Sequence, residues 1–249
     1  MRPAWRMGVA LLAAWGAVAS AGQVQLAVAA NMAAPMQKIA ADFARATGHE
    51  AVVALGSTGR FHAQIRSGAP FEVLLAADEE TPARLEREGL GVRGSRFTYA
   101  IGRLVLWSAD PAGVDPQGQV LRRPPAGRLA IADPKLAPYG AAALATLQRL
   151  GVLPAWQPHL VQGENIGQAY QFAASGAAAL GLVALAQVMA DGKIRRGSAW
   201  IVPANLHAPL AQDALLLQRG QSNPAAAAFL AYLRSDAARA TLRGYGYDF

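Results

Sequence analysis

Val24-Gln25-Leu26-Ala27-Val28-Ala29-Ala30-Asn31 and Ala51-Val52-Val53-Ala54-Leu55-Gly56-Ser57-Thr58-Gly59 decide the fold of this chain. In the first stretch Val24, Leu26 and Val28 alternate as on one face of a strand. Beyond the turn, Met36, Ile39, Ala40 and Phe43 recur at helical spacing on one buried face. The second stretch repeats the arrangement: strand, small-residue turn, and a helix from about Arg60. Each turn is expected to leave backbone N–H groups open at a helix start, where an oxyanion can be held without a counter-charge.

The alternation continues along the chain. Strands are predicted at Glu72 to Ala76, Thr98 to Trp107, Leu129 to Ala132, Leu160-Val161, Gly181 to Val183 and Ala214 to Leu217. Between them, Thr81 to Glu88 reads as a helix, Pro138-Tyr139-Gly140 opens another with Leu144, Leu147 and Leu150 on one side, and Asn165-Ile166-Gly167 opens a third. Asn223-Pro224 and Ser235-Asp236 are helix starts of the N-cap type. This is an α/β chain with mostly parallel sheets, and its strand, turn and helix units fall into two sets. Ligands of open parallel sheets lie beyond the carboxyl ends of the strands. Candidate helix starts there are Asn31 and Ser57-Thr58 in one set, Tyr139-Gly140 and Ile166-Gly167 in the other. A ligand between two lobes is the economical inference, with lobe 1 expected over 22–101 plus 212–249 and lobe 2 over 102–211.

The N-terminus sets the compartment. Arg2 and Arg6 flank a small, apolar run from Met7 to Ala21 ending Ala19-Ser20-Ala21, the pattern of a signal peptide cleaved after Ala21. That run is shorter than a membrane span and contains Gly8 and Gly16. The chain has no cysteine, which excludes disulfides, thiolate metal sites, a thiol nucleophile and a lipidated cleavage point. A soluble exported protein of this kind is expected in a periplasm.

With 53% hydrophobic and 16% charged residues the chain can bury a large core or two small ones, which excludes a disordered chain. Its net charge of +7 comes mostly from dispersed arginines, without the basic stripe and interleaved aromatics of a nucleic-acid interface. His49, His62, His159 and His207 are scattered, and no His-x-x-x-His, Gly-x-Ser-x-Gly or Gly-Lys-Ser/Thr motif occurs. An enzyme of the same two-lobed form, acting on a phosphorylated small molecule, would need a base or nucleophile that these residues do not supply.

Val28-Ala29-Ala30-Asn31, Gly56-Ser57-Thr58-Gly59-Arg60 with Gln64-Ile65, Gly68-Ala69-Pro70, Ala76-Ala77-Asp78 and the segment from Asp133-Pro134 to Pro138-Tyr139-Gly140 occur in the order found in one family. From about Gln23 to its C-terminus the chain resembles the periplasmic molybdate-binding proteins of bacterial ABC importers. The resemblance implies a type II two-lobed binding protein, acting as a monomer without a cofactor. It would close on molybdate or tungstate and deliver the ion to a membrane permease. It also implies that hydroxyls and backbone N–H groups hold the ion, at Asn31, Ser57 and Thr58 in one lobe and Tyr139 and Ile166 in the other. Many members carry serine in place of Asn31, and many carry a ligand-donating tyrosine where this chain has Ala184; the Tyr139 hydroxyl is the candidate substitute. Sulfate is the competing oxyanion, to be excluded by cavity size.

Each of these residues also has a purely structural reading. Asn31, Ser57 and Thr58 would serve as helix caps, Tyr139 as a packing aromatic and Ile166 as core. Arg60 is expected to be solvated or to steer anions at long range.

Overall fold

The computed structural model describes residues 21–249, so the proposed signal segment lies outside the described residues apart from Ala21. The strands are β1 (Gln23–Ala29), β2 (Glu50–Gly56), β3 (Val73–Leu75), β4 (Phe97–Gly102), β5 (Leu104–Ser108), β6 (Leu129–Ala132), β7 (Leu160–Gly163), β8 (Leu180–Ala184), β9 (Met189–Ala190), β10 (Lys193–Ile194), β11 (Ser198–Ile201) and β12 (Leu210–Leu216). The helices are α1 (Ala33–Thr47), α2 (Thr58–Arg66), α3 (Glu80–Arg87), α4 (Pro138–Arg149), α5 (Leu153–Trp156), α6 (Ile166–Ala174), α7 (Leu185–Val188), α8 (Pro224–Leu233) and α9 (Asp236–Gly244).

Two five-stranded sheets organise them, in the orders β2-β1-β3-β12-β4 and β7-β6-β8-β5-β11. Each sheet takes four strands from its own stretch of chain and one that arrives directly from the other lobe. With the incoming strand written n, both sheets read second, first, third, n, fourth. The incoming strand is antiparallel to both neighbours in each case, while the first strand is parallel to the second and third. The lobes are thus topological copies. The turns after the first and second strands of one lobe, at Asn31 and Ser57, correspond to those at Tyr139 and Ile166 in the other.

The chain crosses between lobes at Arg103 and again between β11 and β12. The single strand expected from Thr98 to Trp107 is therefore two strands in different sheets, because extended backbone can pass from one sheet to another without a turn. Against boundaries expected after 101 and 211, the first sheet runs through Gly102 and resumes at Leu210, which pair with each other.

Alternation in β1 also proves only half of its packing. Val24, Leu26 and Val28 pack with Met36, Ile39, Phe43 and Phe229, while Ala27 on the opposite face packs with Phe61 and Ile65. Helices cover both faces, as a parallel sheet requires. Burying Met36, Ile39 and Phe43 completely stabilises the α1 contact by about 1.5–3 kcal/mol each.

Helix α4 shows how a sequence sets a helix start against the cleft. Pro138 takes its first position, where the missing N–H costs nothing. Gly140 follows because a Cβ there would overlap the carbonyl of Ala132, the last residue of β6. After Leu150 the chain stops at Gly151, whose φ of 72° suits the left-handed end of a helix.

Candidate functional site

The four turns meet at a small, tightly closed cavity lined by Asn31, Ser57 and Thr58 from one lobe and Ala137, Tyr139 and Ile166 from the other, with small residues between. The structure thus brings together all five residues singled out in the sequence, each of them buried. Among the described residues, no charged side chain lines the cavity. Carboxylates in the adjoining chain are tied elsewhere. Asp78 accepts from the Thr81 N–H at 3.0 Å and hydroxyl at 3.1 Å, and burial raises its pKa. Asp213 is held by Arg96 at 2.5 Å and Thr98 at 2.7 Å.

Two side-chain atoms in this cavity, Asn31 Oδ1 and Ser57 Oγ, are buried without a hydrogen-bond partner. Such orphans cost about 1–3 kcal/mol each. The other buried atom of this kind among the described residues, His62 Nε2, lies 3.3 Å from Glu88 Oε2 on the far side of α2 and belongs to surface charge packing. Ser57 stands at the N-cap of α2 yet makes no cap bond. The capping role open to it in the sequence is therefore unused, whereas Asn165, Asn223 and Ser235 do cap their helices. Thr58 Oγ1 accepts from the Ala77 N–H at 3.0 Å, which leaves its own proton free to donate. The backbone N–H groups of Ser57, Thr58, Tyr139 and Ile166 have no protein acceptor among the described residues. Donors therefore converge on the cavity from helix starts in both lobes, with a favourable dipole at each.

Asn31 is anchored from behind. Its Nδ2 donates to Gln212 Oε1 and to the Tyr247 hydroxyl, both at 2.8 Å. Gln212 Oε1 also accepts from the Tyr99 hydroxyl at 3.1 Å, and Gln212 Nε2 donates to the Tyr139 hydroxyl at 3.2 Å. The Tyr139 hydroxyl, the candidate substitute for a donor beside Ala184, thus accepts from β12 while Tyr139 lines the cavity. Its neighbour there is Gly102, where a Cβ would overlap both Tyr139 Oη and Gln212 Nε2. Burial pushes the pKa values of Tyr99, Tyr139 and Tyr247 up, so all three remain protonated hydroxyls. Gln212, Tyr99 and Tyr247 were not singled out in the sequence. The available signal was Gln212, an uncharged amide beside Asp213 in a strand whose other residues are apolar.

Across the cleft mouth the lobes touch. Gly59 N–H donates to the Leu136 carbonyl at 2.9 Å, and Arg60 Nη1 lies 2.8 Å from Glu164 Oε2. Arg60 is exposed and paired outside the cavity, consistent with the solvated role expected for it.

Comparison with known proteins places this arrangement. A family profile described as bacterial extracellular solute-binding protein matches residues 24–248. The molybdate-binding protein ModA of Azotobacter vinelandii is 52% identical over 241 residues, covering 97% of this chain and 94% of that protein. ModA of Rhodobacter capsulatus is 50% identical, with 97% and 92% covered. The solved structure of the Azotobacter vinelandii periplasmic molybdate-binding protein superposes with a TM-score of 0.87 at 41% identity, over 91% of this chain and 99% of that one. A sulfate-binding protein of Mycobacterium tuberculosis superposes with a TM-score of 0.72 at 13% identity, a likeness of fold alone.

Proposed function

The chain belongs to the bacterial extracellular solute-binding proteins, and we propose that within this family it captures molybdate outside the cytoplasm for an ABC importer. It is a binding protein rather than an enzyme, and molybdate is its cargo, not a cofactor. The observation that carries the reading is the inter-lobe cavity, which presents hydroxyls and open N–H groups and no charged side chain.

The chemistry favours a fully deprotonated tetrahedral dianion. Each of its oxygens needs donors once water is removed. Charge-assisted hydrogen bonds contribute about 1.5–3 kcal/mol each, and helix starts add about 0.3–1 kcal/mol. Ser57 Oγ, Thr58 Oγ1, the side-chain amide of Asn31 and the N–H groups of Ser57, Thr58, Tyr139 and Ile166 are the donors we assign to it. An oxyanion that keeps a proton at neutral pH, such as phosphate, would need an acceptor to receive that proton. Tungstate, with the same charge and shape, is taken as a second ligand, and sulfate is disfavoured because its shorter bonds leave the donors too far apart.

Closure of the lobes delivers the ion to a membrane permease, with the protein acting as a monomer after cleavage following Ala21. Isothermal titration of the purified mature chain with molybdate, tungstate, sulfate and phosphate tests this. Saturable one-to-one binding of molybdate and tungstate, with weak or absent heats for the other two, is expected. No molybdate binding would overturn the reading.

A further inference from the structure

The amide of Asn31 faces the cavity the wrong way round for an anion. Its oxygen, an acceptor, is the orphaned atom, while both hydrogens of Nδ2 are used by Gln212 and Tyr247 behind it. Rotating Asn31 alone would set an amide oxygen against Gln212 Oε1, two acceptors at 2.8 Å. Rotating Asn31 and Gln212 together removes that conflict. Gln212 Nε2 would then donate to Asn31 Oδ1 and to the Tyr99 hydroxyl, Tyr247 would turn its one proton from the Asn31 main-chain carbonyl, now at 3.2 Å, to Asn31 Oδ1, and Tyr139 would donate to Gln212 Oε1. Tyr99, which has one proton facing both Gln212 Oε1 at 3.1 Å and the Ala76 carbonyl at 3.3 Å, would keep the carbonyl. Each network bonds Gln212 at both ends and leaves one Asn31 side-chain atom for the cavity, because amide oxygen and nitrogen have nearly the same shape and a phenol hydroxyl can donate or accept. Only the inverted one turns Asn31 Nδ2 toward the cavity.

We infer that Gln212 is a positioning residue for anion recognition: the ion is bound with the Asn31 and Gln212 amides inverted in concert, so that Gln212 holds the Asn31 NH2 group toward it. The inference rests on the molybdate reading given above. Gln212 also spans the cleft, since it sits on β12 beside Asn31 and bonds Tyr139 of the opposite lobe. Donor orientation and lobe closure are therefore read by one side chain. Asn31 with Gln212 behaves as a switchable pair, whereas a serine at position 31 would need no such partner, its hydroxyl turning freely.

A double-mutant cycle tests this on molybdate affinity. Gln212→Leu is expected to weaken binding about 10-fold or more in the parent, but less than about 3-fold in the Asn31→Ser background. Any general damage from Gln212→Leu, including loss of the Tyr139 contact, acts equally in both backgrounds and cancels. Equal losses in the two backgrounds overturn the inference. As a measurement that needs no variant to bind, NMR of the molybdate complex should show NOEs from the Gln212 side-chain amide protons to the ring of Tyr99. NOEs to the ring of Tyr139 instead would overturn it. A parent protein that binds no molybdate would refute the functional reading itself, a result distinct from a flat cycle in a protein that binds.

Discussion

The N–H of Gly59 donates across the cleft to the carbonyl of Leu136 at 2.9 Å, so the start of α2 in one lobe is bonded to the segment leading into α4 in the other. A Cβ on Gly59 would lie 3.1 Å from that carbonyl oxygen and 3.2 Å from the Leu136 Cα, closer than side chains normally approach backbone. The glycine is there for closure and not for helix stability, since glycine inside a helix costs about 1 kcal/mol relative to alanine. Gly59→Val is therefore expected to raise the molybdate Kd at least about 10-fold. The unliganded protein should unfold at the same temperature or slightly higher. Titration calorimetry and thermal unfolding check the pair, and an unchanged Kd would remove Gly59 from the closing contact.

Ser57 offers the cleanest test of the donors. Its hydroxyl is buried and has no hydrogen-bond partner among the described residues, so Ser57→Ala removes a donor for the ion without removing any internal bond seen there. A charge-assisted bond of about 1.5–3 kcal/mol corresponds to a roughly 10- to 150-fold loss of affinity. Stability without ligand should be unchanged or improved, because an unpartnered polar atom is deleted. Thr58→Val is predicted to differ: it also takes away the acceptor of the Ala77 N–H, so both affinity and unliganded stability fall. If Ser57→Ala destabilised the unliganded protein as much as Thr58→Val, its hydroxyl would have a structural role after all.

Arg60 is a tempting cation two residues beyond Thr58, yet its guanidinium is half exposed and paired with an exposed Glu164. Exposed pairs contribute about 0–1 kcal/mol and are screened by salt. Arg60→Ala should change the molybdate Kd by less than about 5-fold, and the difference should shrink between 50 and 500 mM salt, order-of-magnitude settings that span short and long screening lengths. A loss above about 30-fold that persists at high salt would mean the guanidinium reaches the ion.

Much of this site is legible in the sequence because it is built from local signals. A strand, a small-residue turn and a helix start are each written in consecutive residues, so Asn31, Ser57, Thr58, Tyr139 and Ile166 can be picked out before their distances are known. What supports them is not local. Gln212 and Tyr247 meet Asn31, and Tyr99 meets Gln212, only because β12 enters the first sheet from the other lobe and the C-terminal segment returns beside β4. The break at Arg103 is hidden for a related reason: nothing in an extended run marks the residue at which its hydrogen-bonding partners change. Gly102 is the trace it leaves, and its meaning depends on Tyr139 and Gln212, which are distant in sequence. Strand β11, the hairpin of β9 and β10, and short α5 and α7 also escape, being too brief to establish a period.

Tyr139 separates two uses of one residue. In the sequence its hydroxyl is the candidate for a donor missing at Ala184; in the structure that hydroxyl accepts from Gln212 Nε2, and the Tyr139 backbone N–H is open at the start of α4. Tyr139→Phe keeps the N–H and the packing, and deletes only a bond that spans the closed lobes. Affinity for molybdate and for tungstate should then fall together, by about 3- to 10-fold, the scale of a net hydrogen bond of about 0.5–1.5 kcal/mol. Their ratio should stay fixed if the hydroxyl serves only the bond to Gln212. Competition titrations of the two anions on the variant and the parent decide it: a changed ratio would put the Tyr139 hydroxyl on the ligand, and the missing donor would have been found there.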